Sequence, residues 1–144
     1  MIYDKITFCS KFIEKEAIRL FRPVKKKSFV FKNIFDKPDK IIDKKLARKN
    51  LKVDETCFLV GNAGWFIQRK RFDIFIEIAK RVNLKEPNIM FIIAGGGPLK
   101  EKLSQKIINN NLEASFYIVD WDVDMKLFYS SLDLMLFNSD YDAL

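Results

Sequence analysis

Three short stretches of this 144-residue sequence combine residue types that could do chemistry. Gln68, Arg69, Lys70 and Arg71 close a loop that holds Gly61 and Gly64, and they run straight into the segment FDIFIEIAKRV. Gly95, Gly96 and Gly97 come directly off the apolar run IMFIIA and lead through Pro98 into a second periodic segment. Asp120, Asp122 and Asp124 alternate along the turn after FYIV. Cations delivered to a helix N-terminus, next to a turn without side chains where a ligand can reach backbone amides, describe an anion site. A phosphate or diphosphate suits it because fixed cations and amide dipoles reinforce each other around a dianion. The same glycines would also serve tight packing with no ligand at all.

Other chemistries are less well supplied. The GGGP stretch lacks the Lys-Ser/Thr ending of a P-loop, and Gly-x-Gly-x-x-Gly spacing is absent. The three aspartates would need to converge to hold a cation such as Mg²⁺, and they serve equally as helix caps and solubilising charge, with Asp124 the better N-cap. No metal and no cofactor is expected. The sequence has no histidine, which removes a His-based acid, base or nucleophile relay from this segment.

The elements that must position these residues follow from apolar patterning. CFLV (57–60), IMFIIA (89–94), FYIV (116–119) and LMLF (134–137) read as strands, and mostly unbroken rather than alternating hydrophobicity marks strands buried on both faces. Between them lie helices, one with Phe72, Phe75, Ile76, Ala79 and Val82 on one side, one with Leu99, Leu103, Ile107 and Ile108, and one over about 124–131. Pro98 is expected in the first helical turn, where its missing N–H costs nothing. Strands alternating with helices predict an α/β fold, a Rossmann-like parallel sheet with helices on both faces. Such a sheet puts the loops 61–71, 95–98, 120–124 and 138–142 on one edge, facing a common crevice. Upstream, Ile6–Phe8 and SFVF (28–31) are short strand candidates. Between them Ser10 caps a helix with Phe12, Ile13, Ala17, Ile18 and Phe21 on its apolar side, ended by Pro23. Asn33–Asp39 reads as turn, and 40–51 as a modest surface helix or partly ordered connector.

The length suits about one domain with a real core. No run approaches a membrane span, no secretory signal is evident, and a cytoplasmic location is expected. Cys9 and Cys57 sit in apolar runs as small hydrophobes. The net charge of +7 is concentrated early: residues 1–55 carry sixteen Lys or Arg against eight Asp or Glu. Lys25–Lys27 and the run Lys44, Lys45, Arg48, Lys49 and Lys52 read as solvated surface, with peripheral contact to an anionic membrane face as the functional alternative. No nucleic-acid partner is expected.

The order GNAGWFIQRKRFDIFIEIAKRV, FIIAGGGPLKEKL, FYIVDWDVDMKLFYSSLDLMLFNSDYDAL resembles the C-terminal, donor-binding domain of the glycosyltransferase 4 family, the group 1 glycosyltransferases of GT-B fold. FCSKFIEKEAIRL is similar, more weakly, to the end of the family's acceptor domain, and Asn33–Asp36 to the Asn-Gly-Val-Asp turn that opens the second domain. The resemblance implies three regions: 1–36 acceptor-domain end and interdomain segment, 37–55 basic connector, and 56–144 a partial nucleotide-sugar-binding domain. It places Lys70 on the donor diphosphate, with Gly64 and Arg69 beside it. The family's partner arginine falls on Trp65, so Arg69 becomes the candidate to supply that charge. Gly95, Gly96, Gly97 and Pro98 match Gly-Asp-Gly-Pro with Gly96 for the aspartate. Val119, Asp120 and Asp122 fall in the base-binding region. Ser139 matches Pro-Ser-x-x-Glu-Gly-Phe, with Asn138 for proline, Ala143 for glycine, and Asp142 in the catalytic acidic position. The second glutamate of that pair would fall beyond Leu144.

The implied activity is sugar transfer from a nucleotide sugar to a glycan or lipid-linked acceptor in polysaccharide biosynthesis, with Lys70 stabilising the leaving diphosphate. An acceptor and any base would come largely from another domain, so the chain reads as a fragment or a degenerate relative. The competing reading is an inactive interaction or regulatory module that keeps the α/β core, suggested by Trp65, Gly96 and Asp142.

Overall fold

The computed structural model describes residues 4–32 and 42–141. The described residues fall into two compact units, a small one holding residues 4–32 and a larger one holding residues 42–141.

In the small unit, strand β1 (Ile6–Phe8) pairs in parallel with β2 (Ser28–Val30), joined by helix α1 (Lys11–Leu20) and a 3₁₀ turn over Arg22–Lys26. Ser10 caps α1 as its sequence position suggests, accepting from the Ile13 amide at 3.3 Å. The apolar side expected of α1 is not buried: the helix has no buried residue, and Phe12 and Phe21 are exposed.

The larger unit contains α2 (Lys44–Leu51), β3 (Phe58–Ala63), α3 (Phe72–Asn83), β4 (Ile89–Ala94), α4 (Lys100–Asn109), β5 (Phe116–Val119), α5 (Met125–Ser131) and β6 (Leu134–Met135). Its strands form one all-parallel sheet in the order β5–β4–β3–β6. The α/β parallel architecture expected from the apolar runs is therefore observed. Side chains alternate along each strand between two cores. Val60, Phe91, Ile93 and Phe116 pack with Phe75, Ile76 and Ala79 of α3 and with Leu103 and Ile107 of α4. On the other face Leu59, Ile92 and Ala94 meet Val53 and Phe128, with Leu51 and Leu132 alongside. Five phenylalanines anchor the first core, with Phe75 edge-on to Phe91 and Phe116, and Phe66 edge-on to Phe72.

Several boundaries depart from expectation. β3 runs three residues past Val60, so Gly61 lies in the strand and not in the loop; a Cβ there would meet the Leu132 methyls at 2.5 and 2.6 Å. Pro98 sits in the turn ahead of α4, not in the helix. β6 is shorter than LMLF suggests, because only Leu134 and Met135 pair with β3. α2 is not simply a surface helix. Its Ala47 is fully buried and Arg48, read as part of a solvated basic run, is 3% exposed. Arg48 donates to the carbonyls of Ser131, Glu55 and Cys57, each at 2.9 Å, and to Asp133 Oδ2 at 2.5 Å. Asp133 Oδ2 also accepts from the Leu59 amide, and its Oδ1 from Lys44 at 2.7 Å. Burial works against the Asp133 charge, yet Lys44, the Leu59 amide and Arg48 hold its carboxyl below the ordinary value. This pair, with Arg48 buried and the Asp133 side chain 18% exposed, ties α2 and the segment before β6 to the start of β3.

The chain starts the sheet at β3, moves outward through β4 and β5, and returns to the far side of β3 as β6. The strand order reverses between β3 and β6, and the crevice beyond their carboxyl ends is where open sheets of this kind take ligands.

Candidate functional site

Two adjacent loops at that edge are stitched through their backbones. The Gly64 amide donates to Ala94 O, Phe66 N to Gly96 O, and Leu99 N to Phe66 O, at 2.8–3.1 Å. Gly95 N donates to Val119 O at 3.0 Å, which joins the end of β5 to the same turn. Gly95 and Gly97 hold φ at +147° and +140°, values that L side chains rarely adopt. The Gly95 N–H is thus occupied within the fold. The Gly96 and Gly97 amides are not among the donors of this stitching.

Two indoles lie on the turn. A Cβ on Gly97 would come within 2.5 Å of Trp65 Cδ1, and one on Gly96 would sit 3.5–3.6 Å from Nε1, Cε2 and Cδ2 of Trp121. Trp65 and Trp121 are nevertheless 55% and 64% exposed, so neither is a core aromatic.

The cationic stretch forms a 3₁₀ turn over Gln68–Lys70 that ends at Arg71, a left-handed residue that also begins α3. Its three cations have different surroundings. The Lys70 stem runs beside Gly64, with Lys70 Cε 3.7 Å from where a Gly64 Cβ would be. Arg69 lies over the Tyr141 ring, its guanidinium carbon 5.1 Å from the centroid. Arg71 pairs with Asp73 at 3.2 Å and with Asp140 at 2.8 Å, and those bonds, Asp73 first, push its pKa further up. Burial opposes the Asp73 charge, but the hydrogen bond from Arg71 leaves that carboxyl below its ordinary value.

Beyond β6 the chain returns to this loop. Asn62, buried at the end of β3, donates Nδ2 to Asn138 Oδ1 at 2.8 Å, and Asn138 Nδ2 donates to Arg71 O at 2.5 Å. Asp140 N donates to Arg69 O at 3.0 Å. The segment after β6 is thereby fastened across the β3–β6 reversal to the loop that carries Lys70. Asp142, the candidate catalytic residue, and Ala143 lie outside the described residues, as does Asn33–Asp36.

At the β5 end, Asp120 pairs with Lys100 at 2.5 Å and its carbonyl accepts from Val123 N. Asp122 is exposed, and Asp124 caps α5 by accepting from the Lys126 amide at 2.8 Å, as its sequence position suggests. Among the described residues no group of three His, Cys, Asp or Glu side chains is placed to hold a metal ion.

The structure thus brings Lys70, Gly64, Gly96 and Gly97 onto two adjoining loops, turns Arg69 toward Tyr141, and sets Asp120 and Asp122 one strand further out. Sequence reading missed Asn62 and Trp121. Asn62 gives no local signal, whereas an indole between two aspartates directly after a buried strand is an exposed aromatic that the pattern itself displays.

A parallel sheet of this order, with helices on both faces and a glycine turn facing a cationic loop, defines a Rossmann-like domain of the GT-B type. The chain belongs to the glycosyl transferases group 1 family, whose model matches residues 43–144. It is 27% identical over 126 residues to the uncharacterized glycosyltransferase MJ1059 of Methanocaldococcus jannaschii, covering 86% of this chain and 31% of that protein. It is 28% identical over 140 residues to the O-antigen biosynthesis glycosyltransferase WclY of Escherichia coli, covering 96% and 38%. Anabaena HepE, solved in complex with UDP and glucose, superimposes with a TM-score of 0.80 at 19% identity, over 97% of this chain and 39% of that one. The chain therefore spans about a third of the length of the curated relatives it matches. Among the described residues no helix is long and apolar enough to cross a membrane.

Proposed function

We propose that this chain supplies the nucleotide-sugar-binding part of a glycosyltransferase 4 enzyme that transfers a sugar to a glycan or lipid-linked acceptor. The observation that carries the reading is the joining of the Lys70 loop to the Gly95–Gly97 turn at the carboxyl ends of β3 and β4. In this reading the donor diphosphate lies against Lys70 and the Gly96–Gly97 backbone, with its charge balanced by a fixed cation and amides in place of water. Catalysis then consists of stabilising the departing nucleoside diphosphate, with no covalent step by these residues. Asp142 is assigned the catalytic acidic position, and the acceptor side of the cleft is assigned to another domain.

Arg71 is the scaffold of the site and not a ligand in this account, because Asp73 and Asp140 already neutralise it. Arg69 stacks on Tyr141 and is assigned a supporting charge. The basic segment of the small unit is assigned to peripheral contact with an anionic membrane face, where a lipid-linked acceptor would reside.

Isothermal titration with UDP, GDP and ADP tests the donor reading. Saturable binding of at least one is expected, and no binding of any at millimolar ligand would overturn it in favour of an interaction module that keeps the fold alone.

A further inference from the structure

We infer that the outward face of α1 is a docking surface for anionic lipid headgroups, a proposal that rests on the peripheral membrane contact assigned above and names the residues that make it. Lys11, Lys15 and Arg19 recur at every fourth residue and so form one stripe along the helix. Phe12, Glu16 and Leu20, each one residue further on, form the stripe beside it. Lys11, Phe12, Lys15, Arg19 and Leu20 are all exposed, Phe12 at 67% and Leu20 at 80%. Glu16, the one carboxylate on these two stripes, is taken by Arg19 at 2.8 Å. Phe21 and Arg22, directly after the helix, are exposed as well. Across residues 4–32 nine Lys or Arg stand against three Asp or Glu, so the surroundings add to the positive field instead of cancelling it.

Charge decides what can cover such a face. A protein layer closing over it would bury three cations against a single carboxylate, and the cost of taking unpaired ions out of water outweighs what two apolar side chains return. A bilayer interface asks for no such burial. The ammonium and guanidinium heads stay among lipid phosphates while their stems, Phe12 and Leu20 enter the boundary of the acyl chains. A nucleic acid would meet the same cations, but Leu20 has no aromatic face for a base to stack on.

The test is co-sedimentation of the full chain with vesicles of phosphatidylcholine alone and of an equimolar mixture with phosphatidylglycerol. The parent is expected to bind the mixed vesicles more tightly, and less so as salt rises. Lys11→Gln with Lys15→Gln is expected to weaken that binding by about fivefold for each cation removed, and to reduce its salt dependence. Phe12→Ser with Leu20→Ser is expected to weaken it by about tenfold or more with the salt dependence unchanged. All four positions are exposed, and circular dichroism checks that both variants keep the fold. Binding that both variants retain, but that Lys25→Gln with Lys26→Gln loses, would overturn the α1 face and leave the membrane contact standing. Equal binding to both vesicle compositions would overturn the headgroup role of the cations. A parent that binds neither would overturn the face and the membrane contact together, leaving the donor reading to nucleotide titration; a dimer in sedimentation velocity that Phe12→Ser with Leu20→Ser abolishes would then assign the face to a second copy of the chain.

Discussion

A Cβ built on Gly95 would lie 2.0 Å from the carbonyl oxygen of Gly64. The two loops that form the candidate site are therefore in backbone contact, and neither can shift without the other. Gly95→Ala meets both this clash and a φ of +147°, and is expected to cost about 2 kcal/mol or more. Gly96→Ala, with only ordinary contacts at 3.5 Å, is expected within about 1 kcal/mol of the parent. Urea midpoints of the two variants check the contrast.

Arg48→Ala takes the buried donor from three carbonyls and leaves Asp133, whose side chain is 18% exposed, with Lys44 and the Leu59 amide alone. A loss of about 3 kcal/mol or more is expected. Lys44→Ala removes only the more exposed partner and is expected to cost about 1 kcal/mol or less. Chemical denaturation at neutral pH reads both.

The same carboxyl sets part of the acid limb of stability. Its folded pKa is below the ordinary value of about 3.9, so the unfolded chain binds the proton first as pH falls. Its contribution is fully present above the unfolded pKa and disappears as pH drops through the folded one. Asp133→Asn is expected to flatten the decline of stability between about pH 5 and the acid transition. Asp73, also held low, leaves a residual slope. Thermal midpoints across that range test the sign, and an unchanged slope would contradict it.

Asn138→Ala leaves the Asn62 amide, in a residue 4% exposed, without its acceptor, and takes one of three donors from Arg71 O, which keeps the Ile74 and Phe75 amides. A cost of about 1–3 kcal/mol is expected. Asp140→Ala, which breaks an exposed pair at 50% side-chain exposure, is expected to cost about 1 kcal/mol or less. Hydrogen exchange at residues 69–71 should quicken more in the first variant than in the second.

Most of the sheet was legible because continuous apolar runs leave a buried parallel strand little alternative. What sequence patterning misplaced depends on partners far along the chain. Gly61 and Asn62 look like turn residues after CFLV, but Leu132 packs against the first and Asn138 pairs with the second, so β3 continues through them. Arg48 is one more charge in a basic run until Asp133, 85 residues away, gives it a counterpart where it is buried. At the site, the positions of Lys70 and the glycines on one edge followed from parallel topology. The use of Gly95 N by Val119, the pairing of Arg71 with Asp140 and the seating of both indoles on glycines did not, since each is a contact between separate loops. Local composition says nothing about which of several neighbouring cations faces a ligand and which braces the loop.

The proposed place of the donor diphosphate is between the Lys70 loop and the glycine turn. Amide chemical-shift mapping of the ¹⁵N-labelled chain during titration with UDP, GDP and ADP in turn tests it most directly. Saturable shifts are expected at Gly64–Phe66, Arg69–Arg71 and Gly96–Gly97, abolished or strongly weakened in Lys70→Ala. Shifts confined to another region, such as the groove lined by Arg81, Val82 and Leu84 at the far end of α3, or shifts at the turn that persist unchanged in Lys70→Ala, would contradict it.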